Sequence, residues 1–490
     1  MIKKLIKVSF IAILVFLSAC SPKSEYTNAL PKNASMVVAM ELDEMAGKAG
    51  LNGISGEKTV EKLKSLIKGG LQGEASQLVE RIIEHPKESG LSFDDKVYLF
   101  ATPHLGAFAI LIKVEDEGKV EKLLEVLEKE SIANPLREES GCQWTQVGGA
   151  LCAFNKGTFL LMLPSKGDAM SMKGTLLSLM RQEAGEGFAS LPEFNKIETE
   201  GDDIASIVNL SAIPYEWTTP LRMGLSGDLH LEDIKYFVSA NFEQGKVVVN
   251  SESLIQNPKI QGFFDAMDKV MNPIDGKYLD YYQGNTMVWI GGNIQGKELY
   301  QMLCQNPTIK QVLSNPILPV DVEYIFSSIE GDFAIGCDNL ARGNFLMYAD
   351  VSNSHFLKTF EDLRPLLALT GGQIMLDKVE KDEYLMRTYY GNFWFGVKNN
   401  RLYVTTNRTW AEEVGRTYGA SLARKPWAGE VIDNRLFAMV NLNGFRNVFL
   451  QYIDYLNVGM PDWRHGKAEI VLKDKNANLL KQLVEILEKL

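Results

Sequence analysis

The sequence predicts an α+β chain made of two similar lobes, each an antiparallel sheet with packed helices, within 490 residues. Three observations lead there. The length exceeds the ~250–300 residues at which a single core splits into domains. Hairpin signals alternate with amphipathic helical stretches, the pattern of an antiparallel α+β chain. Finally, one stretch recurs in the two halves: Ile207-Val208-Asn209-Leu210-Ser211-Ala212-Ile213 and Met439-Val440-Asn441-Leu442-Asn443-Gly444-Phe445. Each reads as a buried strand turning directly into a capped helix. The expected organisation is a signal peptide at 1–19, a tether at 20–34, a first lobe at 35–272 and a second lobe at 273–490 that repeats it, with Pro273–Gly276 at the boundary.

The N-terminus carries Lys3, Lys4 and Lys7, then a run from Val8 to Leu17 in which only Ser9 is polar. That run is about half of the ~20 apolar residues a bilayer-spanning helix needs, so it reads as a signal-peptide core. Leu17-Ser18-Ala19-Cys20 resembles the bacterial lipobox, in which cleavage leaves Cys20 N-terminal and its thiol carries lipid. Cys20 is therefore the expected lipidation site, and the membrane a partner through its acyl chains, which contribute ~0.8 kcal/mol per buried methylene. Ser21-Pro22-Lys23-Ser24-Glu25 lacks an acid-rich export signal, so the expected location is the periplasmic face of the outer membrane rather than the cell surface.

In the first lobe, Ser35 to Leu42 reads as a strand ending at Asp43, a good N-cap, with Gly50 stopping the helix that follows. Glu57–Lys68 and Glu74–Glu84 each place their apolar residues on one helical face. Lys96–Thr102 and Ala107–Val114 form an antiparallel pair, and Lys119–Lys129 is the helix after it. Strands follow around Trp144, Leu151–Phe154 and Thr158–Leu163, the last two joined at Asn155-Lys156-Gly157, which suits a tight turn with positive φ. Met170–Met180 is helical, Ile204–Leu210 is the recurring strand, and Ser211 starts a helix. Leu229–Phe242 and Lys246–Leu254 make a long hairpin around Gln244-Gly245, and Lys259–Met271 is helical.

The second half repeats that order. Thr286–Ile290 begins a strand ending near Ile294, Gly331–Cys337 pairs with Asn344–Val351, and Phe356–Leu367 is the next helix. Phe393–Val397 and Arg401–Thr405 form a hairpin across Asn399-Asn400. Leu436–Leu442 is the second Val-Asn-Leu strand, and a helix runs through Phe449 and Tyr452. Lys467–Leu472 matches the strand at Lys246, and Ala477–Leu490 is the closing helix. At the corner, Ser211 and Asn443 are placed to cap and Asn209 and Asn441 to brace the backbone, with Gln295-Gly296 a further corner of the same kind.

The formal net charge of −11 is spread along the chain, and signal cleavage removes three lysines and no acid. With no basic stripe to neutralise phosphates, nucleic acid is not an expected partner. Cys142 and Cys152 flank the Gly148-Gly149 turn. A three-residue loop would set them opposite one another as a candidate disulfide; the alternative is two small buried residues. His85, His104, His230, His355 and His465 include no pair at helical metal spacing, and there is no C-x-x-C. No metal or other cofactor is expected. Ser65-x-x-Lys68 lacks the partner motifs of penicillin-binding proteins, and no nucleophile elbow, P-loop or dinucleotide fingerprint occurs. No catalytic residue can be named. Aromatics gather around residue 390. Strand alternation sends Phe393 and Phe395 one way and Trp394 the other, so Trp394, Tyr389 and Tyr403 are the candidate ligand-facing aromatics, against plain core packing. Tyr278, Tyr281 and Tyr282 are read as packing between the lobes.

Tyr26-Thr27-Asn28-Ala29-Leu30-Pro31, Asn33-Ala34-Ser35 and Lys48-Ala49-Gly50-Leu51 resemble the start of a lipoprotein family of gut-associated Bacteroidota, catalogued as domain of unknown function number 4836. The resemblance implies an exported lipoprotein with a large α+β body, and carries no catalytic residues over. The resulting expectation is a lipid-anchored envelope protein that binds an unknown protein or small molecule in a cleft between its lobes. The alternative is an envelope hydrolase whose site is assembled in that cleft without a motif. Three or more convergent ionisable groups there would speak for the hydrolase, and a smooth apolar groove for binding.

Overall fold

Met36-Val37-Val38-Ala39-Met40 forms β1, which buries Val37 and Ala39 and leaves the alternate residues half-exposed, the period of two that a sheet requires. The computed structural model describes residues 25–51, 61, 73–102, 106–213, 233–255, 257–314, 321–339, 343–443, 445, 447 and 450–489. Cys20 and the signal segment, all but Glu61 of the helix expected at 57–68, His104 and His230 lie outside these residues. The chain is a mixture of helices and large antiparallel sheet. It divides into two compact units, one running to Val208 and taking in Val484–Leu490, the other Asn209–Leu483.

The first unit contains β1, β2 (Leu91–Ser92), β3 (Val97–Ala101), β4 (Ala107–Val114), β5 (Arg137–Glu139), β6 (Cys142–Val147), β7 (Ala150–Phe154), β8 (Thr158–Pro164) and β9 (Ile204–Asn209). Hydrogen bonding orders them β5-β6-β7-β8-β4-β3-β1-β9, antiparallel throughout, with β2 on the end of β4. The helix Glu117–Lys129 starts where Asp116 accepts a hydrogen bond from Lys119 N, and it lays Val120 and Leu124 on Ile112, Val114 and Phe154. Each such buried side chain contributes about 2 kcal/mol. A line of rings, Tyr26–Tyr98–Phe194–Phe188, packs at centroid spacings of 5.9, 5.9 and 6.3 Å. Asp203 is fully buried, with Lys48 Nζ 2.6 Å from both its carboxylate oxygens.

The second unit contains β10 (Ile234–Glu243), β11 (Lys246–Ile255), β12 (Met271–Asn272), β13 (Val288–Gln295), β14 (Ile329–Asn339), β15 (Asn344–Val351), β16 (Met375–Glu380), β17 (Glu383–Thr388), β18 (Gly391–Lys398), β19 (Arg401–Thr405), β20 (Leu436–Asn441), β21 (Ile453–Met460) and β22 (His465–Leu472). Their order is β10-β11-β22-β21-β20-β13-β14-β15-β19-β18-β17-β16, again antiparallel, with β12 continuing the line of β20 along β13. β11 is hydrogen-bonded along β22, from Lys246↔Val471 to Glu252↔His465. The hairpin β10–β11 therefore belongs to the second compact unit, although the boundary read from the sequence lies after it.

Several local expectations change. Asp43 is not the cap of its helix: the helix is Leu42–Lys48, its N-cap is Glu41, and Asp43 sits in the first turn where its charge complements the helix dipole. Gln295 likewise precedes its helix without a side-chain cap bond. Ser211 does not start a helix. Asn209 caps a single 3-10 turn, Leu210–Ala212, by accepting from Ser211 N at 2.8 Å. Asn155 closes its turn by accepting from the amides of Gly157 and Thr158, without positive φ. Asn399 and Asn400 do adopt positive φ, 51° and 56°.

The candidate disulfide is corrected. Gly148-Gly149 forms a two-residue turn with Val147 opposite Ala150, so Cys152 faces Thr145, and Cys142 lies further along, opposite Glu139. Both are buried free thiols. The tyrosines near the expected boundary pack inside the second unit instead. Tyr278 stacks on Tyr348 at 5.4 Å, and Tyr282 donates to the carbonyls of Ala334 and Leu346.

Candidate ligand pocket

The second unit's sheet presents two cross-strand rows on one face. The first is Lys246–Val471–Tyr455–Asn441, from β11 through β22 and β21 to β20. The second is Val248–Glu469–Asn457–Met439–Trp289 and ends on β13. Directly opposed residues of antiparallel strands share a face, so these side chains form a floor. Over it lies Lys425-Pro426-Trp427, where a 3-10 stretch begins at Pro426. Trp427 is 2% exposed, with its ring stacked on Phe437 at 5.7 Å. Between floor and cover is a cavity of about 350 Å³, lined among others by Lys246, Trp427, Met439, Asn441, Glu469 and Val471. That volume falls at the lower end of small-molecule sites.

The rim is held by the hairpin tip at Gln244–Lys246. Gly245 adopts φ +76°, and a Cβ there would lie 2.7 Å from Lys475 O, so glycine is required. Gly245 N donates to Ala477 O at 2.7 Å, and Asn478 Nδ2 donates to Phe242 O at 2.7 Å. The recurring motif stands at the same rim. Asn441 Oδ1 accepts from Asn443 N at 3.0 Å, the same bracing that Asn209 gives Ser211, and Asn443 Nδ2 donates to Asp454 Oδ1 at 2.6 Å.

Charge in the cavity is mostly paired. Glu469, 5% exposed, accepts from Lys246 Nζ and Lys467 Nζ, both at 2.9 Å. Burial raises its carboxyl, but the hydrogen bonds from the two ammonium groups outweigh burial and hold it below the ordinary range. The same contact raises Lys246. Desolvation and then the charge of Glu469 push up Glu430, whose carboxylate accepts from Asn457 Nδ2 at 3.4 Å. Tyr455 is pushed up to about 12 by burial and by the carboxylates of Glu430, Glu469 and Asp454. Lys475 Nζ lies 3.5 Å from Asp454 and 5.6 Å from the centre of the Tyr455 ring.

Of the aromatics singled out in the sequence, Trp394 and Tyr403 do come together, in a different cavity of about 420 Å³ beside Glu383 and Arg408. Tyr403 is 1% exposed and its hydroxyl donates to Glu383 Oε2 at 2.8 Å, while Lys398 pairs with the other oxygen. Tyr389 is elsewhere, 92% exposed at the β17–β18 turn with its ring against Tyr390. The pocket residues Lys246, Lys425, Trp427 and Glu469 carried no motif. An aromatic beside proline in a loop, Pro426-Trp427, was the available signal. Among the described residues no group of three His, Cys, Asp or Glu side chains is placed to hold a metal, and no helix is long and apolar enough to cross a membrane.

A family model described as Domain of unknown function (DUF4836) matches residues 26–448. No curated protein sequence matches. Crystal form I of TP0453 is 8% identical, covering 50% of this chain and 88% of that chain with a TM-score of 0.28. Crystal form IV of the same protein is 9% identical, covering 51% and 86%, with a TM-score of 0.27. The DNA polymerase III beta subunit of Thermotoga maritima is 10% identical over 89% and 99%, with a TM-score of 0.10.

Proposed function

The chain belongs to the family described as Domain of unknown function (DUF4836), and we propose that it is a lipid-anchored envelope protein that binds a small molecule in the pocket of its second unit. The observation that carries this is the cavity itself: a half-apolar floor of two cross-strand rows, closed by Trp427 and ringed by hydrogen-bonding side chains. Ionisable groups converge there, the pattern of a hydrolase, but their pairing favours binding. A general acid or base works best with a pKa near the working pH. Glu469 is held below the ordinary carboxylate range and locked between two lysines, and Asp454 is engaged by Asn443 and Lys475. Native purification of the full-length lipoprotein, with mass spectrometry of proteins and small molecules, tests the reading. A molecule lost on Gln244→Trp, which places an indole at the rim, is the expected result. Recovery of nothing bound would sink it.

The chain is further read as an internal duplication, with lobes at 35–272 and 273–490. The strand sequence β1, β3 to β9 takes the same spatial order in the first unit as β13 to β20 in the second. Asn209 and Asn441 make the same corner bond. Lipidation at Cys20 and the periplasmic face of the outer membrane complete the proposal. Cys20→Ala should release the protein from membranes, and digestion of the mature domain by protease on intact cells would overturn the location.

A further inference from the structure

Two cations at the pocket have no carboxylate of their own. Lys246 is engaged by Glu469 and Lys475 lies beside Asp454. No side-chain hydrogen bond or ion pair holds Arg424 or Lys425 among the described residues. Lys425 is half-buried and walls both the 350 Å³ pocket and an adjoining hollow of about 550 Å³, which Arg424 also lines. The two spaces meet at Gly284 and Lys425. Gly284 fixes that junction: its amide donates to Ala420 O at 2.7 Å, and a Cβ on it would lie 2.8 Å from that oxygen and 3.3 Å from Lys425 Cε.

The charge count at this groove runs against that of the chain. Of the charged side chains that line the two spaces, Lys246, Lys425, Lys475 and Arg424 stand against Asp454 and Glu469, within a protein of net charge −11; Glu243, 3.8 Å from Lys246, and Glu430 act on Lys246 from outside the lining. Both acids of the lining are already engaged by the other lysines, so its unpaired cations are Arg424 and Lys425. A cleft of one sign with low-dielectric walls concentrates ions of the opposite sign. Next to these cations, the exposed Pro426 and the half-buried ring of Tyr455 offer apolar surface, with Trp427, Met439 and Val471 buried behind them. We infer that the ligand is an amphipathic organic anion, its apolar body on Tyr455 and Pro426 and its carboxylate, sulfonate or phosphate between Lys425 and Arg424. This rests on the pocket reading above.

Two naphthalene probes of similar shape test it on the full mature chain: 8-anilinonaphthalene-1-sulfonate, an anion, and uncharged N-phenyl-1-naphthylamine. The sulfonate is expected to bind at one site, at least ten-fold tighter than the neutral probe, and to be lost on Gln244→Trp. In the double variant Arg424→Gln, Lys425→Gln, whose side chains make no hydrogen bond or ion pair among the described residues, the sulfonate should weaken ten-fold or more and lose its preference over the neutral probe. Neutral binding at the Gln244 site with a sulfonate affinity indifferent to the double variant would overturn the anion and leave the pocket standing. Binding of neither probe, or binding indifferent to Gln244→Trp, would overturn the pocket and this inference with it.

Discussion

Glu469 is the residue on which the pocket's electrostatics turn. Its folded-state pKa lies below the ordinary value of 4.5, so its contribution to stability is present above that value and is lost as pH falls through the folded pKa. Replacing it with glutamine should cost about 2 kcal/mol at neutral pH, the scale of a charged hydrogen-bond pair. The deficit relative to wild type should narrow as pH drops below 4.5, measured as the difference in melting temperature across pH. Asp203 poses the opposite hazard in the first unit, a carboxylate with no exposure whose charge is met by Lys48 at 2.6 Å. Lys48→Ala should destabilise that unit by about 3 kcal/mol, because breaking a buried pair strands the remaining charge. Urea titration would check it, and a loss under 1 kcal/mol would mean that Asp203's other contacts carry the burden.

At the level of the element, turn chemistry decides how the pieces meet. Gly245 lets the β10–β11 tip close against Lys475 through a positive φ. Alanine there should cost about 1–2 kcal/mol from backbone strain alone and weaken probe binding, because the tip must lift from the rim; a stability loss with unaltered binding would separate the two roles. Turns also explain what could be read in advance. The hairpins at Asn399-Asn400 and Gln244-Gly245, the strand at Ala107–Val114 and the helix at Lys119–Lys129 were legible because periodicity and turn residues act locally. The caps were less so: whether Asn209 or Ser211 takes the cap position depends on one residue of backbone geometry. Cys142 and Cys152 misled through register: the observed turn puts Thr145, three residues from Cys142, opposite Cys152. The pocket was hidden for a different reason. Its walls come from Lys246, Gly284, Lys425, Asn441 and Glu469, whose nearness is a property of strand order and leaves no spacing in the sequence.

For the whole molecule, the pairing of β11 with β22 has a consequence in time rather than in space. Lys246 and Glu469, which meet across it, are 223 residues apart in the chain. Until β22 arrives, the hairpin β10–β11 has an open backbone edge, and such edges template pairing with other chains. Long-range strand pairing is also slow, because the chain must close a large loop before any contact repays it. Refolding yield should therefore fall as protein concentration rises, followed by light scattering. A chain ending at Pro461 should populate dimers and larger species on gel filtration, since it can never supply the missing strand. A monomeric, soluble truncation would show that something else shields that edge. On this view β22, in joining β11, also withdraws one edge through which the chain could associate with itself.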